Sequence, residues 1–365
     1  MIYLDYQATT PLAPEARDAM LRWLDGPDGT GFGNPHSAHA MGRQAAAAVE
    51  LARDRVAALF PPGGRVIFTS GATEALNTVL RGSTGDVLTF AAEHAAVLDC
   101  ARAVEGQGRK FTVLPVEKDG RADLAALRKA ATKQTGIIAA MLVNNEIGTI
   151  NPLADIAAIA REKGALVLCD AVQGYGRTTI PGMADFIAVS AHKIHGPKGI
   201  GALWIRDGLA LDPLLYGGGQ ESDLRSGTLS PALCAGFGAA AKLAAERMQQ
   251  DADHVAALWT LARELFADWT LNGGEDARWH GNLNLRREGL DVARLMSECR
   301  DICFSAGSAC ASGSGRPSHV LKAIGLDSAA AKSSIRLGYG RYTMPDQIED
   351  AAERLNAAAA AQGVK

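Results

Sequence analysis

Five short, nearly unbroken apolar runs constrain this 365-residue chain more than any other feature. They fall at 65–69, 86–90, 136–143, 165–170 and 186–190, with stretches of helical character between them. Runs of that length without in–out alternation read as strands covered on both faces, which predicts an α/β fold with a mostly parallel sheet. Each run stops at reactive or polar side chains: Ser70, then Glu93-His94, Asn145-Glu146, Asp170, and Ser190 to Lys193. Open α/β sheets bind ligands at the carboxyl ends of their strands, so five chemical clusters are expected along one rim.

The rest of the chain reads differently. Residues 233–271 are Ala-rich and helical in pattern, and the C-terminal third mixes helices with a short strand at 282–285. These features predict a large domain over 13–250 and a smaller α+β domain made of 1–12 and 251–365. The Gly-rich stretch 311–317 reads as a mobile loop, and 357–361 as a frayed helix end. A hydrophobic content of 47% suffices for a sizeable core. A formal net charge of −3 leaves no electrostatic footprint for DNA or an acidic membrane surface. No apolar run reaches the ~18 residues of a spanning helix. The first residues lack a basic-then-apolar signal, so a cytoplasmic location is expected. Six cysteines without a CxxC pair argue against a disulfide framework. No clean GxGxxG occurs, which lowers the case for a dinucleotide enzyme.

Several side-chain types converge on one chemistry. Ser70-Gly71-Ala72-Thr73-Glu74 follows a strand and opens a helix, where small residues and backbone N–H groups suit a phosphate; an ordinary Ser or Thr N-cap is the plainer reading. Lys193 sits after a strand end in a turn braced by Gly196 and Pro197, positioned for a Schiff base, whereas Lys198 fits a solvated loop lysine better. Asp170 could face the protonated ring nitrogen of a cofactor or simply cap a helix. His94 could stack on a planar ring and shuttle protons, or be structural. Cys310 opens the Gly-rich loop, where a thiolate could reach a substrate, while the other five cysteines fit buried positions. Arg336 could clamp a carboxylate or form a surface salt bridge. Together these residues suit pyridoxal-phosphate (PLP) chemistry on a sulfur-bearing amino acid.

The motifs Ala8-Thr9-Thr10, Gly33-Asn34-Pro35, Thr69 to Glu74, Asn144 to Gly148, His192-Lys193, Gly217 to Glu221, Arg225 to Thr228 and Gly307 to Cys310 run through nearly the whole chain. In combination they resemble the cysteine desulfurases of aminotransferase class V, in the branch serving nitrogen fixation and housekeeping iron–sulfur assembly. The resemblance implies a fold-type-I PLP transferase converting L-cysteine to alanine. Lys193 would carry the cofactor. Gly71, Ala72, Thr73, Ser190 and His192 would surround its phosphate, with Thr228 reaching the phosphate of a neighbouring subunit in a homodimer. Asp170 would face the ring nitrogen, Gln173 the ring hydroxyl, His94 the ring face, and Asn145 would also touch the cofactor. Asn34 and Arg336 would hold the substrate carboxylate. Cys310 would take the sulfur as a persulfide and pass it to an iron–sulfur scaffold or another acceptor, with Gly313 and Gly315 giving its loop freedom. No metal is implied. Gln7 stands where Asn or Ser is usual, and Ala191 where Gly is common. Another class-V enzyme, a selenocysteine lyase or an aminotransferase, is the competing reading.

Overall fold

Every residue of Phe186-Ile187-Ala188-Val189-Ser190 is buried, so this segment is stable only with cover on both faces. The computed structural model describes residues 1–106, 108–307 and 317–364. Its first half runs β1 (Ile2–Tyr3), α1 (Pro14–Leu21), α2 (Ala40–Ala57), β2 (Gly64–Thr69), α3 (Ala72–Gly82), β3 (Asp86–Phe90), α4 (Ala95–Glu105), β4 (Phe111–Leu114), α5 (Leu124–Ala130), β5 (Thr135–Met141), α6 (Leu153–Lys163), β6 (Leu166–Asp170), β7 (Phe186–Ser190) and β8 (Gly201–Arg206). Then follow α7 (Pro231–Leu265), β9 (Thr270–Leu271), β10 (Asn282–Arg286), α8 (Val292–Glu298), β11 (Ile302–Cys303), β12 (Ser305–Ala306), α9 (His319–Ala323), α10 (Ser328–Lys332), β13 (Ser334–Gly338) and α11 (Pro345–Ala360).

The central sheet has the order β2-β8-β7-β6-β5-β3-β4. All pairings from β7 through β4 are parallel, while β8 runs antiparallel to both β2 and β7. The chain leaves β3 for β4 on one side, and leaves β5 for β6 and β7 on the other. That reversal opens a crevice beyond the carboxyl ends of β3 and β5. Two strands of this sheet lay outside the sequence reading. In β4 only Leu114 is buried, because the strand is an edge. In β8 the apolar run follows directly on the Gly/Pro turn 196–199, which hides its start.

One apolar layer joins α2, α6 and the first half of α7 to a face of the sheet. The opposite face is covered by α3 and α4. A second core gathers Ile2 and Leu4, the later part of α7 (Val255, Leu258, Ala262), β10, β13, α8 and α11. Helix α7 is continuous over 35 residues and contributes to both cores. Residue 250, where the sequence suggested a domain boundary, therefore lies inside a helix rather than in a linker. The helix expected to reach 271 ends at Leu265, and Thr270-Leu271 is a strand paired with β10. The 357–361 run is not frayed: Ala359 is fully buried in the second core.

Candidate active site

A cavity of about 510 Å³ opens at the carboxyl ends of β3, β5, β6 and β7. One corner of it is the start of α3, through Gly71, Ala72 and Thr73. Gly71 takes the N-cap position and no side chain caps the helix, so the Ser or Thr cap considered from sequence is absent. A side-chain cap stabilises by about 1 kcal/mol; forgoing it leaves the helix N-terminus available to an anion. Gly71 adopts φ +157°. Gly201 lets β8 approach it, since a Cβ there would lie 2.7 Å from Gly71 Cα and 2.4 Å from the Val189 carbonyl. Glu74 fixes the turn from behind, accepting from Ser70 N at 2.8 Å and from Arg225 Nε at 2.8 Å. Burial raises the Glu74 carboxyl, but these bonds outweigh it and hold the group below its ordinary value.

Lys193 stands in the single turn after β7. Its Nζ donates to the carbonyls of Gln7 and Ala8, the latter at 2.7 Å. Arg177 Nη2 donates to the Lys193 carbonyl at 2.6 Å, and Gln173 Nε2 donates to the Gln7 carbonyl at 3.0 Å. The lysine is thus held from both ends by the N-terminal segment and by the turn after β6. Neighbouring His192 is driven down to about 4 by burial and by the charges of Lys193, Lys198 and Arg177. It is neutral near pH 7, and its Nδ1 lies 3.1 Å from Thr9 Oγ1.

Asp170 ends β6, is 7% exposed, and accepts from Val172 N at 3.0 Å. It caps no helix. Burial raises its carboxyl above the ordinary value, although His94 and Lys193 pull the other way. Such a carboxyl is stabilised by a cation placed against it. His94 does two things at once: its Nδ1 accepts from Ala96 N at 3.1 Å as the N-cap of α4, and the residue lines the cavity.

Arg336, on β13, is 1% exposed, so it is no surface salt bridge. Nη2 donates to Asp5 Oδ1 at 2.8 Å and to Ser305 Oγ at 3.1 Å, and Nη1 to the Asn145 carbonyl at 3.1 Å. Its Nε is buried without a partner among the described residues. The cavity brings together Gly71, Ala72, Thr73, His94, Asn145, Asp170, Gln173, Ser190, His192, Lys193 and Arg336. It does not include Asn34 or Thr228, which are exposed elsewhere on the protein. Lys198 lines it as well, so the lysine assigned to solvent reaches the same rim. Cys310, with Gly313 and Gly315, lies outside the described residues. Of the other cysteines, Cys100, Cys169, Cys234 and Cys299 are buried and Cys303 is half-buried. Sequence reasoning missed Gln7 and Ala8 as anchors of Lys193; they act through backbone carbonyls, which no side-chain pattern advertises.

The cavity's residues fit PLP: an uncapped helix start for the phosphate, a buried carboxyl suited to the ring nitrogen, a held lysine and a ring beside them. The aminotransferase class-V family matches residues 2–350. The cysteine desulfurase IscS of Rickettsia bellii is 42% identical, over 95% of this chain and 88% of that protein; the one of Rickettsia typhi has the same identity and coverage. A NifS-like protein of Rickettsia africae superposes with a TM-score of 0.88 at 27% identity, covering 98% of this chain and 99% of that one. SspA, solved in complex with cysteine, superposes at 0.83 with 32% identity, covering 94% and 100%. Similarity that extends across nearly the full length of both partners leaves one assignment: this chain belongs to the class-V aminotransferase family and, within it, is a cysteine desulfurase.

Proposed function

We propose that the chain performs PLP-dependent desulfuration of L-cysteine with Lys193 as the cofactor lysine and Cys310 as the sulfur carrier. The observation that supports this most is the convergence, in one cavity, of Lys193 Nζ, the buried Asp170 carboxyl and the uncapped α3 terminus. When bound, the cofactor supplies an electron sink for the substrate α-carbon. Asp170 keeps the ring nitrogen protonated, and the same contact relieves the cost of burying the carboxylate. Gly71, Ala72, Thr73, Ser190 and His192 hold the phosphate; a neutral His192 adds a hydrogen-bonding ring without adding charge. Asn145, Gln173 and His94, which line the same cavity, would hold the ring.

Arg336 receives the substrate carboxylate through its remaining donor capacity, and Asp5 keeps the guanidinium from turning away. Lys193 Nζ moves the substrate α-proton. The Cys310 thiolate attacks the substrate sulfur. A sulfur–sulfur bond forms as the carbon–sulfur bond breaks, which leaves a persulfide on Cys310 and, after proton return, alanine. The persulfide sulfur then passes to an acceptor, for which an iron–sulfur scaffold is the favoured class. Thr228 and Asn34, both outside this protomer's cavity, fit a homodimer in which Thr228 serves the neighbouring phosphate. A cytoplasmic setting belongs to the same reading; among the described residues no helix is long and apolar enough to cross a membrane.

Purified protein given PLP, L-cysteine and a thiol reductant should release alanine and sulfide in equal amounts, and Cys310→Ala should release neither. Keto acid without matching alanine would sink the assignment of Cys310 and point to an aminotransferase.

A further inference from the structure

Beside the cavity lies a small joint that the reaction as described does not use. Asn144 Oδ1 accepts from Glu146 N at 2.8 Å and from Ile147 N at 3.1 Å, which folds the chain after β5 into a tight turn. The turn carries Asn145 into the cavity wall and turns Glu146 into the interior, where it is 3% exposed. Glu146 Oε2 accepts a hydrogen bond from Ser318 Oγ. Ser318, 4% exposed, also caps α9 by accepting from Leu321 N at 3.1 Å. Next to it, His319 Nε2 lies 2.8 Å from the carbonyl of Glu93, the residue before His94. Val320, Leu321 and Ile324 complete the joint by packing with Ala92 and Ile147.

The other side of the joint is Asn284. Its Nδ2 donates to the Glu146 carbonyl at 3.0 Å and to the Gly307 carbonyl at 3.3 Å. Gly307 is the last described residue before 308–316, and Ser318 is the second after it. Both flanks of the segment that contains Cys310 are therefore tied to one buried residue, Glu146, the neighbour of Asn145 in the cavity wall. Burial raises the Glu146 carboxyl, against the Ser318 hydrogen bond and the charges of His319, Arg336 and His94. An amide of the same shape is consequently a mild replacement, while an apolar one leaves the Ser318 hydroxyl buried without its acceptor.

We infer that Glu146 and Ser318 are positioning residues for the sulfur-transfer step, fixing the base from which Cys310 meets the substrate. This rests on the sulfur-carrier role proposed for Cys310. The physical reason is that attack on the substrate sulfur needs a near-attack geometry, and much of that advantage is lost if the residues flanking the sulfur carrier are not held in place.

The test is a rapid-mixing experiment on PLP-loaded enzyme with L-cysteine, following two signals: the visible absorbance change of substrate binding, and the release of alanine. In Ser318→Ala and Glu146→Leu, alanine release should slow by about tenfold to a hundredfold. The absorbance step and its dependence on cysteine concentration should stay within about twofold of the unmodified enzyme. Glu146→Gln and Ser318→Thr should recover most of the rate. Unchanged alanine release in Ser318→Ala, the gentler substitution, would overturn the inference. So would equal slowing of both signals, which is the mark of a merely structural role. Cys310→Ala run in parallel separates the two levels: if it still releases alanine, the sulfur-carrier reading falls and the positioning role falls with it.

Discussion

Two regions of this molecule bury carboxyl groups to similar depth and treat them in opposite ways. At the latch between α2 and the segment after β8, Glu221 is 9% exposed and fully occupied. Its Oε1 accepts from Arg53 Nη2 at 2.7 Å, and its Oε2 from Arg53 Nη1 at 2.8 Å and Phe68 N at 2.6 Å. The guanidinium sits 4.8 Å from the centre of the Phe68 ring. This network holds three consecutive non-glycine residues, Glu221, Ser222 and Asp223, at φ between 52° and 64°, a conformation that persists only where the surroundings enforce it. Next in the chain to His94 of the cavity wall, Glu93 is 1% exposed; its Oε1 accepts from Met141 N at 2.7 Å, and its Oε2 has no partner among the described residues. Burial pushes Glu93 well above the ordinary carboxyl value, against the Met141 bond and with a further push from Asp170. Asp170 is raised in the same way. A buried carboxyl satisfied inside the chain is architecture, whereas one raised by burial at the cavity wall, as Asp170 is, is poised for a ligand.

The largest expected effect separates the two regions by function. Lys193→Ala should lower kcat/KM for desulfuration by about 10³-fold or more, while the urea midpoint stays near that of the unmodified protein. A large fall in stability would place the cavity wall in the same class as the latch. The latch should respond the other way: Glu221→Leu takes from Arg53 its buried carboxylate, leaving only the exposed Glu50, and should cost about 3 kcal/mol in urea unfolding. The double change Arg53→Met with Glu221→Leu should recover much of that loss, because no buried charge then lacks its buried partner. Additive losses would mean the pair is not the unit that holds the segment.

A smaller effect lies in pH. Glu93 and Asp170 have folded values above their unfolded ones, so between the ordinary carboxyl value and the raised one the folded state holds more protons. Their contribution to stability is therefore present at low pH and is lost as pH rises through the raised values. As pH rises above the ordinary carboxyl range, the cofactor-free protein should lose thermal stability more steeply than its Glu93→Gln variant. Parallel curves would show that Glu93 is as well compensated as Glu221.

Much of this was legible in advance, for identifiable reasons. Strands β3 and β7 were marked to the residue, because strands covered on both faces carry mostly apolar side chains without in–out alternation. Asp170 and Lys193 were found because each ends or follows such a strand. β4 was hidden because an edge strand can keep polar and exposed positions. Arg336 was ambiguous because its burial and its pairing with Asp5 depend on β13 lying against the N-terminal segment. The hold on Lys193 was invisible for a similar reason: the acceptors are main-chain carbonyls of residues 7 and 8.

Sequence by itself determined which segments become the central strands and which side chains crowd their carboxyl ends, since hydrophobic periodicity and chain direction are local properties. Only the tertiary structure decided which buried charges find partners. That outcome depends on contacts between residues more than a hundred positions apart, such as Asp5 with Arg336 and Glu146 with Ser318. The free energy of a buried charge is set by the groups around it, not by its neighbours in the chain.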